Sequence, residues 1–338
     1  MQTIAELEEI MTKPTQRLID DLKQLEGDIM ILGVGGKMGP TLAKLAKRAV
    51  DEASLNTRII GVSRFSSGTL QEELEASGVE TIACDLLDEE ELNQLPPVKN
   101  IIFMAGKKFG TMGNEHFTWA MNTYLPGLVA EKFAASNIVV FSSGNIYPFV
   151  DITKAGCTEE TPVQPVGEYA QSCLGRERVF TYFSKQNNTP ILLYRLNYAI
   201  DMRYGVLLEV AKQVYNGNAV DLTTGHVNVI WQGDANEYAL RSLLHCSTDP
   251  AILNITGPET ISVRWLAEEF GRHFNREVTF INTETSTALL NNAGKAHKLF
   301  GYPSVSLQQM VEWIAVWLEN DGQMIDKPTH FQERQGAF

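Results

Sequence analysis

The chain lacks the cysteine and histidine patterns that mark metal centres and disulfide frameworks. No CxxC pair occurs among its four cysteines, which stand at positions 84, 157, 173 and 246. Its six histidines show no HExxH or comparable ligand spacing, so we expect no metal. Scattered cysteines of this kind favour reduced thiols and a cytoplasmic protein over a disulfide-stabilised secreted one.

Long apolar runs and positive charge are also scarce. No stretch has the uninterrupted apolar length that a membrane helix needs, and the first residues do not read as a basic stretch followed by an apolar core. We therefore expect neither a membrane span nor a secretory signal. The chain has 28 lysines and arginines against 41 acidic residues, a net charge of −13, which disfavours nucleic acid and anionic membranes as partners. A small-molecule partner fits better.

The 338 residues are 44% hydrophobic, which is enough to fill a substantial core. Short β-rich runs alternate with helical stretches through residue 200, the pattern of an α/β protein with a doubly wound parallel sheet of the Rossmann type. The predicted strands cover residues 28–32, 58–62, 80–83, 100–104, 138–141 and 191–196.

Four segments are predicted along the chain. They are an N-terminal helical extension (1–27), a Rossmann domain (28–200), a smaller mixed α/β C-terminal lobe for the substrate (201–325, with part of 227–245 returning to the Rossmann domain) and a tail (326–338). In the extension, Pro14 suits the first turn of a helix and Gly27 suits its C-terminal cap.

A glycine-rich turn follows the first predicted strand. It reads Gly33-Val34-Gly35-Gly36-Lys37-Met38-Gly39, and a helical pattern leaves it. Glycines at 33, 36 and 39 let the backbone turn tightly, approach a pyrophosphate and pack the new helix on the strand. A glycine turn without a ligand is the alternative, but the strand before and the helix after favour a dinucleotide site. Its expected contacts are Gly33, Gly36, Lys37, Met38 and Gly39.

The end of the second predicted strand indicates which dinucleotide binds. Ser63 and Arg64 stand where a site for NAD usually carries an acid. A hydroxyl and a guanidinium suit the extra phosphate of NADP, although an arginine that merely reaches solvent is the alternative. Lys37 could add positive charge. Asp85, after the third strand, stands where an acid can accept from the adenine amino group. We expect NADP in preference to NAD.

These residues resemble the extended short-chain dehydrogenase/reductases, which include NAD(P)-dependent sugar epimerases and dehydratases. The resemblance covers about residues 28 to 320, and its landmarks are Gly33-x-x-Gly36-x-x-Gly39, Cys84-Asp85-Leu86, Met104-Ala105-Gly106, Asn122, the segment 141–147, Tyr169, and the segments 193–197, 232–235 and 253–257. It implies a homodimer and further cofactor contacts at Leu86, Met104, Ala105, Gly106, Asn122, Tyr169 and Asn197.

The resemblance also implies a chemistry. In this family a tyrosine phenol exchanges a proton with the substrate oxygen, a serine or threonine hydroxyl hydrogen-bonds that oxygen, and a lysine four residues after the tyrosine assists. Tyr169 and Ser143 match the first two roles, but Cys173 stands in the lysine position. The loss matters, because one cation about 4 Å away contributes on the order of 4 kcal/mol at an effective dielectric near 20. That is about the energy needed to bring a phenol pKa from about 10 to about 7.

Other cations could replace the lysine. Arg176 lies on the same helical face as Tyr169 and Cys173, and Lys107 and Lys108 follow the fourth strand. We place Lys108 first, with a solvated surface charge as the alternative for each. Cys173 itself is expected to be a small buried thiol and not a nucleophile.

Two functions from different classes follow. The first is an NAD(P)-dependent oxidoreductase, epimerase or dehydratase acting on a carbinol carbon of a sugar, a sugar acid or a nucleotide-sugar. The second is a catalytically impaired NADP-binding protein with a regulatory or sensor role. Tyr169 and Ser143 favour the enzyme, and the replacement at Cys173 favours the second reading.

Overall fold

Seven parallel strands form the central sheet of the computed structural model, which describes residues 1–66, 68–108, 110, 113–325 and 327–336. The strands are β1 (Ile29–Leu32), β2 (Ile59–Ser63), β3 (Glu80–Ala83), β4 (Asn100–Phe103), β5 (Asn137–Ser143), β6 (Ile191–Leu196) and β7 (Ala251–Ile255). Their spatial order is β7-β6-β5-β4-β1-β2-β3. The order reverses between β1 and β4, which opens a crevice at the carboxyl ends of the strands.

Thirteen α-helices are described. They are α1 (Ile4–Thr12), α2 (Gln16–Leu22), α3 (Gly39–Glu52), α4 (Leu70–Ala76), α5 (Glu89–Gln94), α6 (Glu115–Trp119), α7 (Leu125–Lys132), α8 (Gly167–Asn187), α9 (Val206–Tyr215), α10 (Gln232–Arg241), α11 (Val263–Phe274), α12 (Gly294–Phe300) and α13 (Leu307–Glu319). A π-helical turn, Ala120–Tyr124, joins α6 to α7.

Helices cover both faces of the sheet, and the side chains of each strand alternate between two cores. In β1, Ile29 and Ile31 pack in the core under α3 and α10, whereas Met30 and Leu32 pack in the core under α7 and α8. A strand buried on both faces reads as a continuous apolar run, because neighbouring side chains point to opposite faces. The predicted α/β fold with a Rossmann-type parallel sheet is confirmed.

The N-terminal extension contains two helices where the sequence predicted one. The second helix, α2, begins after Thr15, whose hydroxyl accepts from the Leu18 backbone N–H. Pro14 therefore precedes the helix, and Gly27 lies beyond its end at Leu22, so both predicted placements are wrong. The extension packs on α3 and α10, and ion pairs such as Arg48–Glu9 help to fix it there.

The C-terminal lobe surrounds a separate core. Helices α9, α11 and α13 pack together around side chains such as Phe270, Ile314 and Trp317. Four two-stranded ladders border it, which pair 199–200 with 230–231, 226–227 with 261–262, 220–221 with 280–281 and 150–151 with 287–288.

Three later segments pack against parts of the fold that are distant from them in the sequence. Strand β7 extends the central sheet, whereas the sequence analysis placed residues 251–255 in the C-terminal lobe. Helix α10 packs on α3. The predicted tail packs back as well, since Phe331 is buried in the core of the lobe. Among the described residues, no helix is both long and apolar enough to cross a membrane.

Candidate active site

Three glycines in the turn between β1 and α3 meet three different steric demands. Gly33 has φ +92°, and a Cβ there would lie 2.6 Å from the backbone nitrogen of Ala105. A Cβ on Gly39 would lie 2.2 Å from the carbonyl oxygen of Val34. At Gly36, the Gly33 carbonyl at 3.4 Å is the one neighbour within 4 Å of an added Cβ among the described residues, which leaves room there for a ligand. The turn therefore fits the pyrophosphate of a dinucleotide at the start of α3.

Arg64 and Asp85, which were predicted to contact the adenosine end of the cofactor, lie close together. Arg64 Nη1 lies 3.9 Å from Asp85 Oδ2, and both side chains are largely exposed. The Ser63 hydroxyl faces the glycine turn, 2.5 Å from the position of a Cβ built on Gly35. Exposed ion pairs contribute little free energy, so Arg64 can exchange Asp85 for a phosphate. The Leu86 side chain is buried in the core under α7 and α8, so the cofactor contact predicted there would have to use its backbone.

Asn122 holds the segment that follows β4. Its Oδ1 accepts from the Lys107 backbone N–H at 2.9 Å and from Arg176 Nη2 at 2.7 Å. Its Nδ2 donates to the Lys107 carbonyl at 2.8 Å and to Ser172 Oγ at 3.0 Å. An amide has two acceptor and two donor positions, and these four bonds occupy them. These bonds make Asn122 a positioning residue for the segment after β4, and its contact with a cofactor stays a prediction.

A cavity of about 360 Å³ lies at the carboxyl ends of the central strands. One wall is formed by the predicted cofactor residues Gly36, Met38, Met104 and Gly106, and another by Ser143 and Tyr169. The C-terminal lobe closes it with the residues Tyr198, Ala199, Ile200, Tyr204, Gly205 and Val206. The structure thus brings part of the predicted cofactor set into one cavity with the predicted catalytic residues, as expected for the crevice of a doubly wound sheet. The predicted contacts Ser63, Arg64, Asp85 and Leu86 do not line this cavity.

Tyr169 lies in the first turn of α8 and lines the cavity together with Ser143. Burial raises the pKa of the Tyr169 phenol above its ordinary value, and nearby Cys173 raises it further, whereas Arg176 and the Ser143 hydroxyl lower it. Ser143 ends β5, and its Oγ also accepts from the Asn145 backbone N–H at 3.1 Å. The two groups predicted to share one substrate oxygen therefore stand together.

Cys173 has no accessible surface and packs with Ile146, Tyr147 and Cys157. Burial raises the pKa of its thiol, so the thiolate that a nucleophile needs is disfavoured. All four cysteines are free. These observations agree with the expected structural role of Cys173.

Arg176 lies one turn beyond Cys173 and points into the cavity wall. Its side chain is buried, with Nη1 donating to the Phe141 carbonyl at 2.6 Å and Nη2 to Asn122. The guanidinium lies against Gly106, where a Cβ would come within 2.4 Å of Nη2. Its Nε is buried with no hydrogen-bond partner among the described residues. Of the groups that lower the pKa of Tyr169, Arg176 has the largest effect.

Two lysine ammonium groups also reach the cavity. Lys108 Nζ lies 6.0 Å from the centre of the Tyr169 ring, and burial lowers the pKa of Lys108 to about 8. Lys37 Nζ donates to the Ala199 carbonyl at 2.9 Å and lies 4.0 Å from the centre of the Tyr204 ring. The positive charge that we expected Lys37 to add beside the cofactor phosphates therefore lies on the lobe side of the cavity. Burial lowers the pKa of Lys37 to about 8, Asp201 opposes this effect, and Lys108 adds to it.

The cavity lining includes one further predicted residue and several residues that sequence reasoning missed. Asn197, a predicted cofactor contact, lines the cavity while its Nδ2 donates to Asn228 Oδ1 at 2.7 Å. Tyr204, Lys327 and Thr329 line the same cavity but were not predicted. No local motif marks them, because only the packing of the lobe and of the last described segment brings them there.

Several known structures have a similar fold, and the similarity covers almost the whole length of each of them. DesIV, a dTDP-glucose 4,6-dehydratase from Streptomyces venezuelae solved with NAD and TYD bound, matches with a TM-score of 0.72 at 15% identity, covering 87% of this chain and 97% of that one. Pal from Bacillus thuringiensis matches with a TM-score of 0.70 at 15% identity, covering 86% and 99%. UDP-glucuronic acid 4-epimerase from Bacillus cereus, solved with NAD, matches with 0.67 at 16%, covering 86% and 98%. These likenesses concern the fold.

Sequence comparison assigns the family. No functionally curated protein is similar enough in sequence to match the chain. The model of the NAD-dependent epimerase/dehydratase family matches residues 29–227, more than half of the 338 residues. That range includes the glycine turn, Ser143 and Tyr169. The chain therefore belongs to the NAD-dependent epimerase/dehydratase family.

Proposed function

We propose that this protein is an NAD(P)-dependent enzyme that acts on a carbinol carbon of a sugar, a sugar acid or a nucleotide-sugar. One observation carries the proposal. Tyr169 and Ser143 line one cavity together with residues of the glycine turn and of the segment after β4. A proton-transferring group thus stands beside the place where a nicotinamide would end.

Oxidation, epimerisation and dehydration in this family begin with the same step. Bound at the glycine turn, the nicotinamide cofactor supplies the acceptor or donor of a hydride. In the oxidative direction Tyr169 takes the hydroxyl proton, the C–H electron pair leaves with the hydride, and the carbinol becomes a carbonyl. Ser143 holds the same oxygen by a hydrogen bond. In the reductive direction the neutral Tyr169 phenol gives its proton to the carbonyl oxygen.

Arg176 replaces the missing lysine as the source of positive potential at Tyr169. It is buried, and two hydrogen bonds fix its guanidinium at Phe141 and Asn122. An arginine stays charged at any physiological pH, whereas a buried lysine can lose its proton. Lys108 remains the second candidate, since its Nζ lies 6.0 Å from the Tyr169 ring centre.

NADP is the proposed cofactor. The support is the pair Ser63 and Arg64 at the end of β2, where no acid stands to bind the ribose hydroxyls. Solved proteins of similar fold carry NAD, among them MoeE5 in complex with UDP-glucose and NAD. A homodimer and a cytoplasmic location remain predictions, and light scattering tests the first.

Turnover tests the proposal directly. The wild-type protein is incubated with oxidised NADP and panels of sugars, sugar acids and nucleotide-sugars, and nicotinamide reduction is followed by absorbance. Dehydratase and epimerase products, which leave no net reduced cofactor, are followed by mass spectrometry and NMR. We expect Tyr169→Phe to lower turnover by about 10²- to 10⁴-fold, since it removes the proton carrier.

The matched control is Tyr182→Phe, on the same helix but 60% exposed, which should leave turnover unchanged. NADP binding without turnover on any panel would favour the alternative, a cofactor-binding regulatory protein, which the replacement at Cys173 supports. Turnover that survives Tyr169→Phe would contradict the assignment of the proton carrier.

A further inference from the structure

The charge of the active-site cavity is opposite to that of the whole protein. Five cationic side chains line it, namely Lys37, Lys107, Lys108, Arg176 and Lys327, and none of its described lining residues is acidic. The chain as a whole has a net charge of −13. A cavity lined by one sign of charge concentrates ligands of the opposite sign.

Not all of these cations face a ligand. Arg176 is held by Phe141 and Asn122, and Lys107 Nζ lies over the Phe117 ring, 4.8 Å from its centre. Among the described residues, Lys37 makes one hydrogen bond, to the Ala199 carbonyl at 2.9 Å, whereas an ammonium has three donors. It also feels the like charge of Lys108, which adds to burial in lowering its pKa. A bound anion would offset both the burial of the Lys37 ammonium and its repulsion by Lys108.

Lys327 belongs to a segment that is anchored on the lobe. Thr329 next to it donates its hydroxyl to Glu209 Oε2 at 2.7 Å, and Phe331 is buried in the lobe core. The exposed Lys327 side chain lines both the active-site cavity and an adjoining cavity of about 480 Å³. It therefore stands at the boundary between the two.

The adjoining cavity has no comparable surplus of positive charge. Its lining combines two lysines, Lys212 and Lys327, with two carboxylates, Glu209 and Asp221. Two arginines of the lobe are also engaged, since Arg203 pairs with Asp201 at 2.9 Å and Arg264 with Glu284 at 2.6 Å. The surplus therefore lies in the cavity of about 360 Å³ that Tyr169 also lines.

We propose that Lys37 and Lys327 bind an anionic group, a carboxylate or a phosphate ester, that the substrate carries within a few bonds of its reacting carbon. This inference rests on the proposed function and narrows its substrate class. Aldonates, uronates and sugar phosphates have such a group near a carbinol. A nucleotide-sugar without a sugar acid carries its diphosphate on C1, across the ring from the C4 carbinol, and for reaction at C4 it fits this arrangement less well.

Binding of matched probes tests the inference without turnover. Calorimetry in the presence of saturating NADP compares D-gluconate, D-glucuronate, D-glucose 6-phosphate and UDP-glucose with neutral D-glucose. We expect at least one of the first three to bind more tightly than D-glucose and UDP-glucose. Lys327→Gln and Lys37→Gln should each weaken that probe about tenfold, because a charge-assisted contact is lost. The probe that responds distinguishes a carboxylate from a phosphate ester.

Lys212→Gln is the matched control, because Lys212 lines only the adjoining cavity, where carboxylates balance it. The Kd of the probe for this variant should stay within twofold of the wild-type value. The Kd of NADP is measured for every variant. If Lys37→Gln does not fold, the exposed Lys327→Gln carries the test alone.

Two outcomes would overturn the inference. In one, no anionic probe binds more tightly than D-glucose, or UDP-glucose is the tightest ligand. In the other, both variants weaken the binding of NADP as much as that of the probe. This result would assign the two cations to the cofactor. Anion binding that depends on Lys37 and Lys327, combined with absent turnover, would instead uphold the anion site and contradict the proposed enzyme.

Discussion

The glycine turn and the Tyr169 helix are two halves of one site, and their sequences differ in how directly they report structure. At the turn, Gly33 and Gly39 stand where an added Cβ would strike the backbone of Ala105 or Val34. On α8, the lysine position holds Cys173, and the buried cation comes from Arg176 one turn later. Backbone crowding requires one residue type at one position, whereas a long side chain can deliver the same charge from several positions.

The largest expected effect is at the turn. Gly33→Ala should destabilise the fold by on the order of 3 kcal/mol or more, because φ is +92° and the new Cβ would meet a backbone atom at 2.6 Å. Gly217→Ala is the matched control, with φ +72° but its nearest neighbour, Arg276 Nη1, at 3.8 Å, and should cost about 1 kcal/mol. Urea unfolding measures both, and equal losses would refute the steric explanation.

The next effect is on α8. Arg176→Met should move the pH profile of NADP-dependent oxidation to higher pH, because removing a cation that lowers the pKa of Tyr169 raises that pKa. Turnover near neutral pH should fall about 10- to 100-fold, and Arg176→Lys should restore part of it. The exposed Arg178 on the same helix gives the control Arg178→Met. A profile unchanged by Arg176→Met would transfer the role to Lys108.

The preference for NADP over NAD should depend on Arg64, at the end of β2. Arg64→Gln should raise the Kd of NADP about tenfold or more and leave that of NAD nearly unchanged, because only NADP has the phosphate that a guanidinium can bind. Arg58→Gln is the control, since Arg58 lies just before β2 at its other end and pairs with Asp28 and Glu80. An equal rise for both cofactors would mean that Arg64 does not select between them.

The smallest effect on activity is expected at Cys173. Cys173→Ala should keep turnover within about threefold, because the thiol is buried and its pKa is raised. Its stability should fall by about 1 kcal/mol through lost packing. Thermal unfolding and steady-state kinetics measure the two quantities. A loss of turnover by orders of magnitude would show that the thiol takes part in the chemistry.

Contacts with distant residues explain why some side chains and strands lie elsewhere than the sequence suggested. Asn122 belongs to a recognisable motif, but its amide holds Lys107, Ser172 and Arg176. Lys37 lies in the glycine turn, yet its ammonium bonds the Ala199 carbonyl, 162 positions away. Strand β7 joins the sheet only through its ladder with β6. Such partners cannot be inferred from local spacing.

Tyr169 and Ser143 were predicted from the family resemblance, whereas the sequence alone determined the parallel sheet and the glycine turn. It did so because apolar periodicity and backbone sterics act over a few neighbouring residues. Only the tertiary structure decided which cations reach the cavity, since Lys37, Arg176 and Lys327 come from three separate segments. Their long side chains take their direction from the surrounding packing and hydrogen bonds, and these depend on the whole fold.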